Sequence, residues 1–319
     1  MNKKAKSFMA VLLAASMILS GCSIYDEKTD ESGDKVEIVT TLYPLYEFAK
    51  AVGGEKISVK LLLPPGAEAH TFDPTPKNIV DIEKADLFIS IGADMEPWAD
   101  DILKGISNEK LTTLRASDFV ELIGSSHEEE PEHEDDHDPH HGEMDPHIWL
   151  DFENDQKIVT AIAETLSEID AENADFYMSN ADSYSKKLIE LDELYKKSLT
   201  NCEKNIFITG GHNAYAYMAQ RYNLEYVAAH GISPDSEPTP QDMKNLIDIS
   251  KNQNLKYILF EDLVSPKIAE AIAEETSGMG TLLFSPLANL TKEQFQNGET
   301  FISLMTRNLD SLKIALECK

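Results

Sequence analysis

Residues 36–63 read VEIVTTLYPLYEFAKAVGGEKISVKLLL, and this stretch decides the fold. The apolar run 36–41 predicts a buried strand, 46–52 an amphipathic helix, and 57–63 a second strand that stops at Pro64-Pro65-Gly66. The following Asp73-Pro74-Thr75-Pro76 predicts a helix at 77–84, because Thr75 can cap it and Pro76 suits its first turn. A third strand is predicted at 87–91.

The same order of elements returns in the second half of the chain. Strands are predicted at 205–209, 225–229 and 256–260, with helices at 214–222 and 243–250, and Glu237-Pro238-Thr239-Pro240 stands where Asp73-Pro74-Thr75-Pro76 stood before. Strands that alternate with helices favour parallel sheets. We therefore predict an α/β fold of two Rossmann-like lobes with parallel sheets, residues 35–169 and 201–319, and a terminal helix at 301–316.

The segment between the lobes predicts one long, rigid helix. Residues 170–200 contain no Gly or Pro, are rich in Ala, Glu, Lys and Leu, and carry apolar residues at helical spacing. We expect this helix to join the lobes and leave a cleft between them.

The N-terminus has the pattern of an export signal. Lys3, Lys4 and Lys6 precede an apolar run at 8–19 that is too short to cross a bilayer, and residues 1–21 are expected to be removed. Leu19-Ser20-Gly21-Cys22 resembles the bacterial lipobox, in which cleavage precedes the cysteine and Cys22 takes the lipid. The alternative is an ordinary signal with an incidental cysteine. Residues 22–34 are polar and predict a flexible tether, so we expect a protein anchored to the outer face of the bacterial cell membrane.

Charge and cysteine content narrow the partners and the compartment. The formal net charge of −29 argues against nucleic-acid binding and favours cations, although solubility alone would also explain it. Apart from Cys22 the chain has Cys202 and Cys318. Because disulfides persist in exported proteins, we expect these two to pair rather than remain free thiols.

An acidic, histidine-rich segment belongs to neither lobe. Residues 125–142 have no aliphatic or aromatic side chain to pack, which predicts a mobile insertion. We expect weak, auxiliary metal binding by its histidines, which are His127, His133, His137, His140 and His141. The alternative is a solvated acidic loop with incidental histidines.

Three further histidines stand at or just beyond the carboxyl ends of predicted strands, where open α/β sheets bind ligands. They are His70, His147 and His212, and because they come from both halves they can meet only in the cleft. Their spacing carries no metal signal, and a single histidine is more often an ordinary satisfied side chain. His230 also follows a strand, so position alone is a weak criterion.

Motifs along nearly all of the mature chain resemble the zinc-specific group of ABC-transporter solute-binding proteins, the cluster A-I metal receptors. The most specific is Asp145-Pro-His-Ile-Trp-Leu150 after a histidine-rich insertion, and the others are Thr40-Thr-Leu-Tyr-Pro-Leu-Tyr46, Leu62-Leu-Pro-Pro-Gly66 with His70, Asp73-Pro-Thr-Pro76, Ala85-Asp-Leu-Phe88, His212, Gly231-Ile-Ser-Pro-Asp235, Glu237-Pro238, Phe260-Glu261 and residues 301–309. The resemblance implies that His70, His147 and His212 bind transported Zn²⁺, which a monomeric receptor delivers to a membrane permease and its ATPase. An all-imidazole set also suits Zn²⁺ better than Mn²⁺.

The chain departs from this family at the fourth ligand. Relatives often supply Asp or Glu from the loop after the last strand, whereas Ser285 and Ala288 stand there in this chain. We expect water, Glu261 or Glu68 in the fourth position, with Ser285 and Asn289 as weaker candidates. Other functions left open are a manganese or other divalent-metal receptor and a surface metal-buffering adhesin. A hydrolytic zinc enzyme is not expected, because the chain has no His-Glu-x-x-His motif.

Overall fold

The computed structural model describes residues 35–124, 144–232, 238–276 and 278–319. The predicted signal, the tether with Cys22, and the histidines at 127, 133, 137, 140 and 141 lie outside the described residues. Within them, no helix combines the length and the apolar character that crossing a membrane requires.

The first lobe is a four-stranded parallel sheet with the strand order β2-β1-β3-β4. Its strands are β1 (Val36–Thr40), β2 (Ile57–Leu61), β3 (Leu87–Ser90) and β4 (Thr112–Arg115). Its helices are α1 (Tyr43–Gly53), α2 (Pro76–Glu83) and α3 (Ala99–Gly105), with 3-10 turns at Gly54–Lys56 and Ala116–Phe119. Strand β4 and helix α3 were not predicted. Helix α1 begins earlier than predicted, with Pro44 in its first turn.

Two packed helices follow the first sheet. A 3-10 turn at Ile148–Leu150 leads into α4 (Phe152–Ile169), which was not predicted. The long helix predicted to begin at residue 170 begins later, because α4 ends at Asp170 and a 3-10 turn at Ala171–Asn173 precedes α5 (Ala174–Ser198). Helix α5, with 25 residues, is the helix that joins the lobes.

The second lobe repeats the plan of the first with the strand order β6-β5-β7-β8, again all parallel. Its strands are β5 (Ile206–Thr209), β6 (Glu225–Ala228), β7 (Tyr257–Phe260) and β8 (Gly280–Leu283). Its helices are α6 (Ala216–Tyr222), α7 (Pro240–Asn252), α8 (Lys267–Glu275), α9 (Lys292–Gln296) and α10 (Phe301–Ala315), of which α8 and α9 were not predicted. The two matching sheets confirm the predicted α/β fold.

The repeated Pro-Thr-Pro steps form the same helix cap in both lobes. Thr75 Oγ1 accepts a hydrogen bond from Asn78 N at 3.3 Å, and Thr239 Oγ1 accepts one from Asp242 N at 3.2 Å. In each case the third helical residue accepts in return from the threonine backbone, and proline occupies the first turn. This is a capping box, which satisfies backbone donors that the helix itself cannot.

The largest apolar core is shared by both lobes. Phe48 of α1 packs edge-on against Phe301 of α10 with ring centroids 5.2 Å apart, and Trp149, Tyr215 and Phe284 belong to the same cluster. Smaller clusters cover the outer faces of the two sheets. A disulfide between Cys202 and Cys318 joins the start of the second lobe to the chain end after α10.

Candidate metal centre

Three histidines from both lobes meet at one point of the cleft. His70 lies in the loop after β2, His147 directly before the turn Ile148–Leu150, and His212 just after β5. The Nε2 atoms of His70 and His147 are 3.3 Å apart, and those of His147 and His212 are 3.1 Å apart. In the described part of the chain, these residues form the group of His, Cys, Asp or Glu side chains whose ligand atoms converge closely enough for one metal ion.

The spacing of the ring nitrogens matches what a tetrahedral zinc site requires. Zinc binds histidine nitrogen at about 2.0–2.1 Å, which places two nitrogens of a tetrahedron about 3.4 Å from each other. The observed 3.1 and 3.3 Å lie close to that separation. The ligand atoms of all three rings lie within 4.8 Å of one another, close enough to hold one ion.

Two buried carboxylates fix the orientation of two of the rings. His147 Nδ1 lies 2.8 Å from Asp145 Oδ1, and His212 Nδ1 lies 2.9 Å from both carboxylate oxygens of Glu261. Because a carboxylate accepts hydrogen bonds, each Nδ1 carries the proton, and each Nε2 presents a lone pair to the cleft. Two lone pairs 3.1 Å apart repel each other unless a cation, a proton or a metal ion, lies between them.

Burial lowers the pKa of two of the three histidines and so favours their neutral form. The pKa of His70 is lowered to about 2, chiefly by burial and further by the neighbouring rings of His147 and His212. Burial also lowers the pKa of His147, and the hydrogen bond and charge of Asp145 offset only part of this effect. For His212 burial acts in the same direction, but the charge of Glu261 outweighs it, so the pKa of His212 is raised.

A glycine makes room for the carboxylate behind His212. A Cβ atom on Gly211 would lie 1.7 Å from Glu261 Oε1, so a side chain at this position would displace the carboxylate. The same carboxylate accepts the His212 backbone N–H at 2.7 Å. Position 211 therefore needs glycine for this contact with Glu261.

The candidates for the fourth ligand are held by other partners. Glu261 is engaged by His212, and Glu68 Oε1 accepts a hydrogen bond from His70 N at 2.9 Å. Ser285 Oγ donates to Asp262 at 2.8 Å, and the Asn289 amide donates to Pro64 O at 2.7 Å. In this arrangement Glu261, Ser285 and Asn289 act as hydrogen-bonding partners of protein groups.

A small cavity adjoins His70 and His212. It has a volume of about 20 Å³ and is lined by Glu68, His70, His212 and Ala288, among others. A space of this size holds about one water molecule. The carboxylates on the cavity wall are those of Glu68, Glu261 and Asp262.

The sequence did not reveal the role of Asp145. Asp145 was read as part of the Asp145-Pro-His motif, but its separation of two residues from His147 allows its carboxylate to fold back on the imidazole. An acid two residues before a histidine, across a proline, was the available signal.

The chain is similar to known zinc-uptake proteins along nearly its whole length. The family model described as "Zinc-uptake complex component A periplasmic" matches residues 38–315. The high-affinity zinc uptake system protein ZnuA of Bacillus subtilis (strain 168) is 36% identical over 318 residues, which cover 99% of each chain. The zinc-binding lipoprotein AdcA of Streptococcus pneumoniae (strain R6) is 35% identical over 98% of this chain, which spans 60% of that longer relative. The crystal structure of the Zn(II)-bound ZnuA-like domain of Streptococcus pneumoniae AdcA aligns with a TM-score of 0.74 at 33% identity, covering 89% of this chain and 99% of that one.

Proposed function

The chain belongs to the family of the zinc-uptake complex component A, and on this premise we propose that it is a zinc receptor for uptake by an ABC transporter. It captures Zn²⁺ outside the cytoplasmic membrane between His70, His147 and His212. It then delivers the ion to a permease that is driven by an ATPase. The lipid anchor at Cys22 would keep the receptor at the outer face of the cell membrane, and we expect it to act as a monomer.

The observation that carries this proposal is the pair of Nε2 lone pairs of His147 and His212, 3.1 Å apart. Each ring is held in that tautomer by a buried carboxylate, Asp145 or Glu261. Both carboxylates are nearly inaccessible to water, so a divalent cation between the rings balances their charge. Three imidazole nitrogens favour Zn²⁺ over Mn²⁺, which prefers oxygen ligands.

The histidine-rich segment supports a second, weaker class of metal site in this proposal. Its five histidines alternate with carboxylates, which suits low-affinity binding of divalent cations. We propose that this segment buffers or delivers zinc and that the cleft holds it tightly.

Metal analysis and competitive titration of the purified mature protein test the function. We expect one tightly held Zn²⁺ per chain that a large excess of Mn²⁺ does not displace. A variant without residues 125–142 should lose weak sites and keep the tight one. Loss of the tight site in that variant, or displacement of Zn²⁺ by equimolar Mn²⁺, would contradict the proposal.

A further inference from the structure

A loop of the second lobe reaches across the cleft and holds the first lobe. This crossing loop comprises residues 285–290, between β8 and α9. Three of its backbone carbonyls accept hydrogen bonds from residues that precede α5 in the chain. These are Trp149 Nε1 to Pro286 O at 2.7 Å, Tyr43 N to Ala288 O at 3.2 Å, and Gly66 N to Leu290 O at 2.7 Å. The crossing loop is thus bonded to the first lobe along its length.

The side chain of Asn289 adds the contact nearest to the histidines. Its amide Nδ2 donates to Pro64 O at 2.7 Å and to Ala67 O at 2.9 Å, and both carbonyls belong to the loop that carries His70. Its Oδ1 accepts from Leu290 N at 2.8 Å, which fixes the direction in which the amide points. Asn289 is only 2% exposed, so water does not readily replace these bonds.

The crossing loop itself has a shape that depends on tight packing. Leu287 adopts a left-handed backbone conformation with φ of 56° and is completely buried. A leucine is held in this disfavoured region only where the surrounding structure determines it. The loop is therefore a fixed support, against which the loop of His70 is placed.

His70 needs such a support more than the other two histidines. His147 and His212 have carboxylates behind their rings, whereas in the described part of the chain no carboxylate lies within hydrogen-bond distance of the His70 ring. His70 also lies between β2 and α2, in a segment without helix or strand. Its ring is therefore positioned through the backbone of its own loop.

We propose that Asn289 is a positioning residue for His70 and sets the rate at which zinc leaves the site. This inference rests on the proposed function and adds a determinant of metal retention that does not itself contact the ion. Without the Asn289 amide, the carbonyls of Pro64 and Ala67 lose their shared donor, and the His70 loop can move away from the other two rings. Zinc that is held by two imidazoles instead of three dissociates faster.

The test compares Asn289→Ala with Asn180→Ala as a matched control. Asn180 of α5 also donates its side-chain amide to a backbone carbonyl, Val52 O of α1 at 2.9 Å, which belongs neither to the crossing loop nor to the loop of His70. We expect Asn289→Ala to release zinc to a fluorescent chelator about 10-fold or more faster than wild type, the range typical of outer-sphere changes. Asn180→Ala should lower the melting temperature while its release rate stays near that of wild type.

Two further measurements separate positioning from other roles. In the Co²⁺-loaded protein, Asn289→Ala should change the visible absorption bands that report the ligand set, whereas Asn180→Ala should leave them unchanged. Asn289→Asp keeps the shape but loses both donors, so it should release zinc as fast as Asn289→Ala. If Asn289→Asp releases zinc more slowly than Asn289→Ala, position 289 reaches the metal, and the positioning role is wrong.

The outcomes distinguish this inference from the proposed function. If wild type binds zinc tightly but Asn289→Ala releases it at the wild-type rate, only the role of Asn289 is overturned. If wild type holds no zinc, the proposed function itself fails.

Discussion

His147 and His212 belong to segments 65 positions apart in the sequence, yet their Nε2 atoms lie 3.1 Å from each other. One stands before the helix pair that leads to the second lobe, and the other follows the first strand of that lobe. Any change that separates the lobes therefore separates these two ligand atoms.

Removing a ligand histidine should abolish tight zinc binding. We expect His70→Ala, His147→Ala and His212→Ala each to lower the affinity for zinc more than about 100-fold. Changes at residues that only contact a ligand already lower metal affinity about 10- to 100-fold. Competition with a chelator of known affinity measures this. His230→Ala serves as the control, because His230 also follows a strand but is outside the converging group. An equal loss in the control would show that the assignment of the ligands is wrong.

Removing the carboxylate charge behind a ligand histidine should weaken zinc binding while the ligand itself stays in place. Glu261→Gln and Asp145→Asn keep the shape of each side chain but lose the negative charge that holds the ring, and we expect zinc binding to be about 10- to 100-fold weaker. Asp262→Asn is the control, since Asp262 accepts from Ser285 and Gln294 rather than from a histidine. The same competition with a chelator measures the zinc affinity of all three variants. A Glu261→Gln variant that binds zinc as tightly as wild type would show that the Glu261 charge does not support the ligand.

The affinity for zinc should fall as the pH drops, because zinc must displace one proton from the site. His70 and His147 have lowered pKa values and stay neutral, whereas the raised pKa of His212 means that zinc must displace its proton. Below that pKa we expect affinity to fall about tenfold per pH unit rather than a thousandfold. Glu261→Gln removes the charge that raises the pKa, so the decline should begin at lower pH. Isothermal titration at several pH values measures the slope, and a three-proton slope would refute this account.

The buried carboxyl group of Asp155 should make the fold less stable at neutral pH, because burial opposes its ionisation. Neither carboxyl oxygen of Asp155 in α4 has a hydrogen-bond partner in the described part of the chain, and the side chain is fully buried. Burial and the charge of Asp151 raise the pKa of Asp155 well above its usual value. Its contribution to stability is therefore present below the unfolded pKa of about 3.9 and is lost as the pH rises through the folded pKa.

Asp155→Asn removes this loss and should raise the melting temperature at pH 8, by about 2–4 °C for each kcal/mol gained. At pH 4 the gain should be much smaller. Asp192→Asn is the opposite control. Its pKa is lowered to about 2 because the bonds from Arg221 and Lys196 outweigh its burial, so losing that charge should destabilise the protein. Calorimetry of metal-free variants at the two pH values decides, and a pH-independent effect of Asp155→Asn would contradict the prediction.

Local patterns predicted the repeated parts of the fold well. Thr75 and Thr239 formed the expected caps because proline and threonine act through neighbouring backbone groups, which the sequence displays directly. Strand β4, Thr112–Arg115, escaped prediction because only Leu114 of its four residues is buried, so it has no apolar period to detect. The predicted start of the long helix was wrong by a few residues, because Asp170 accepts from Tyr177 and ends α4 through contacts that span the turn.

The metal centre shows where sequence reasoning stops. The resemblance to a family singled out the three histidines, and the fold brings them together. The predicted position after a strand was wrong for His147, which stands directly before a 3-10 turn with no strand ahead of it in the described residues. The role of Glu261 depends on a contact across 49 positions with His212, so only the folded chain shows that this carboxylate orients the His212 ring. The same holds for Asn289, whose partners at Pro64 and Ala67 lie more than 200 positions away.

The apolar core shared by the lobes bears on the heat capacity change of zinc binding. Opening the cleft by parting the lobes would expose rings such as Phe48 and Phe301, at about 25 cal/mol for each Å² of apolar surface. Metal loading that leaves this core closed changes little apolar hydration, so the heat capacity of zinc binding should be near zero. Titration calorimetry across temperatures, in one buffer and corrected for its ionisation, would reveal a strongly negative value if the lobes instead closed on the ion. A value near zero would mean that the receptor delivers its cargo through movement of loops, with the body of the protein acting as a rigid frame.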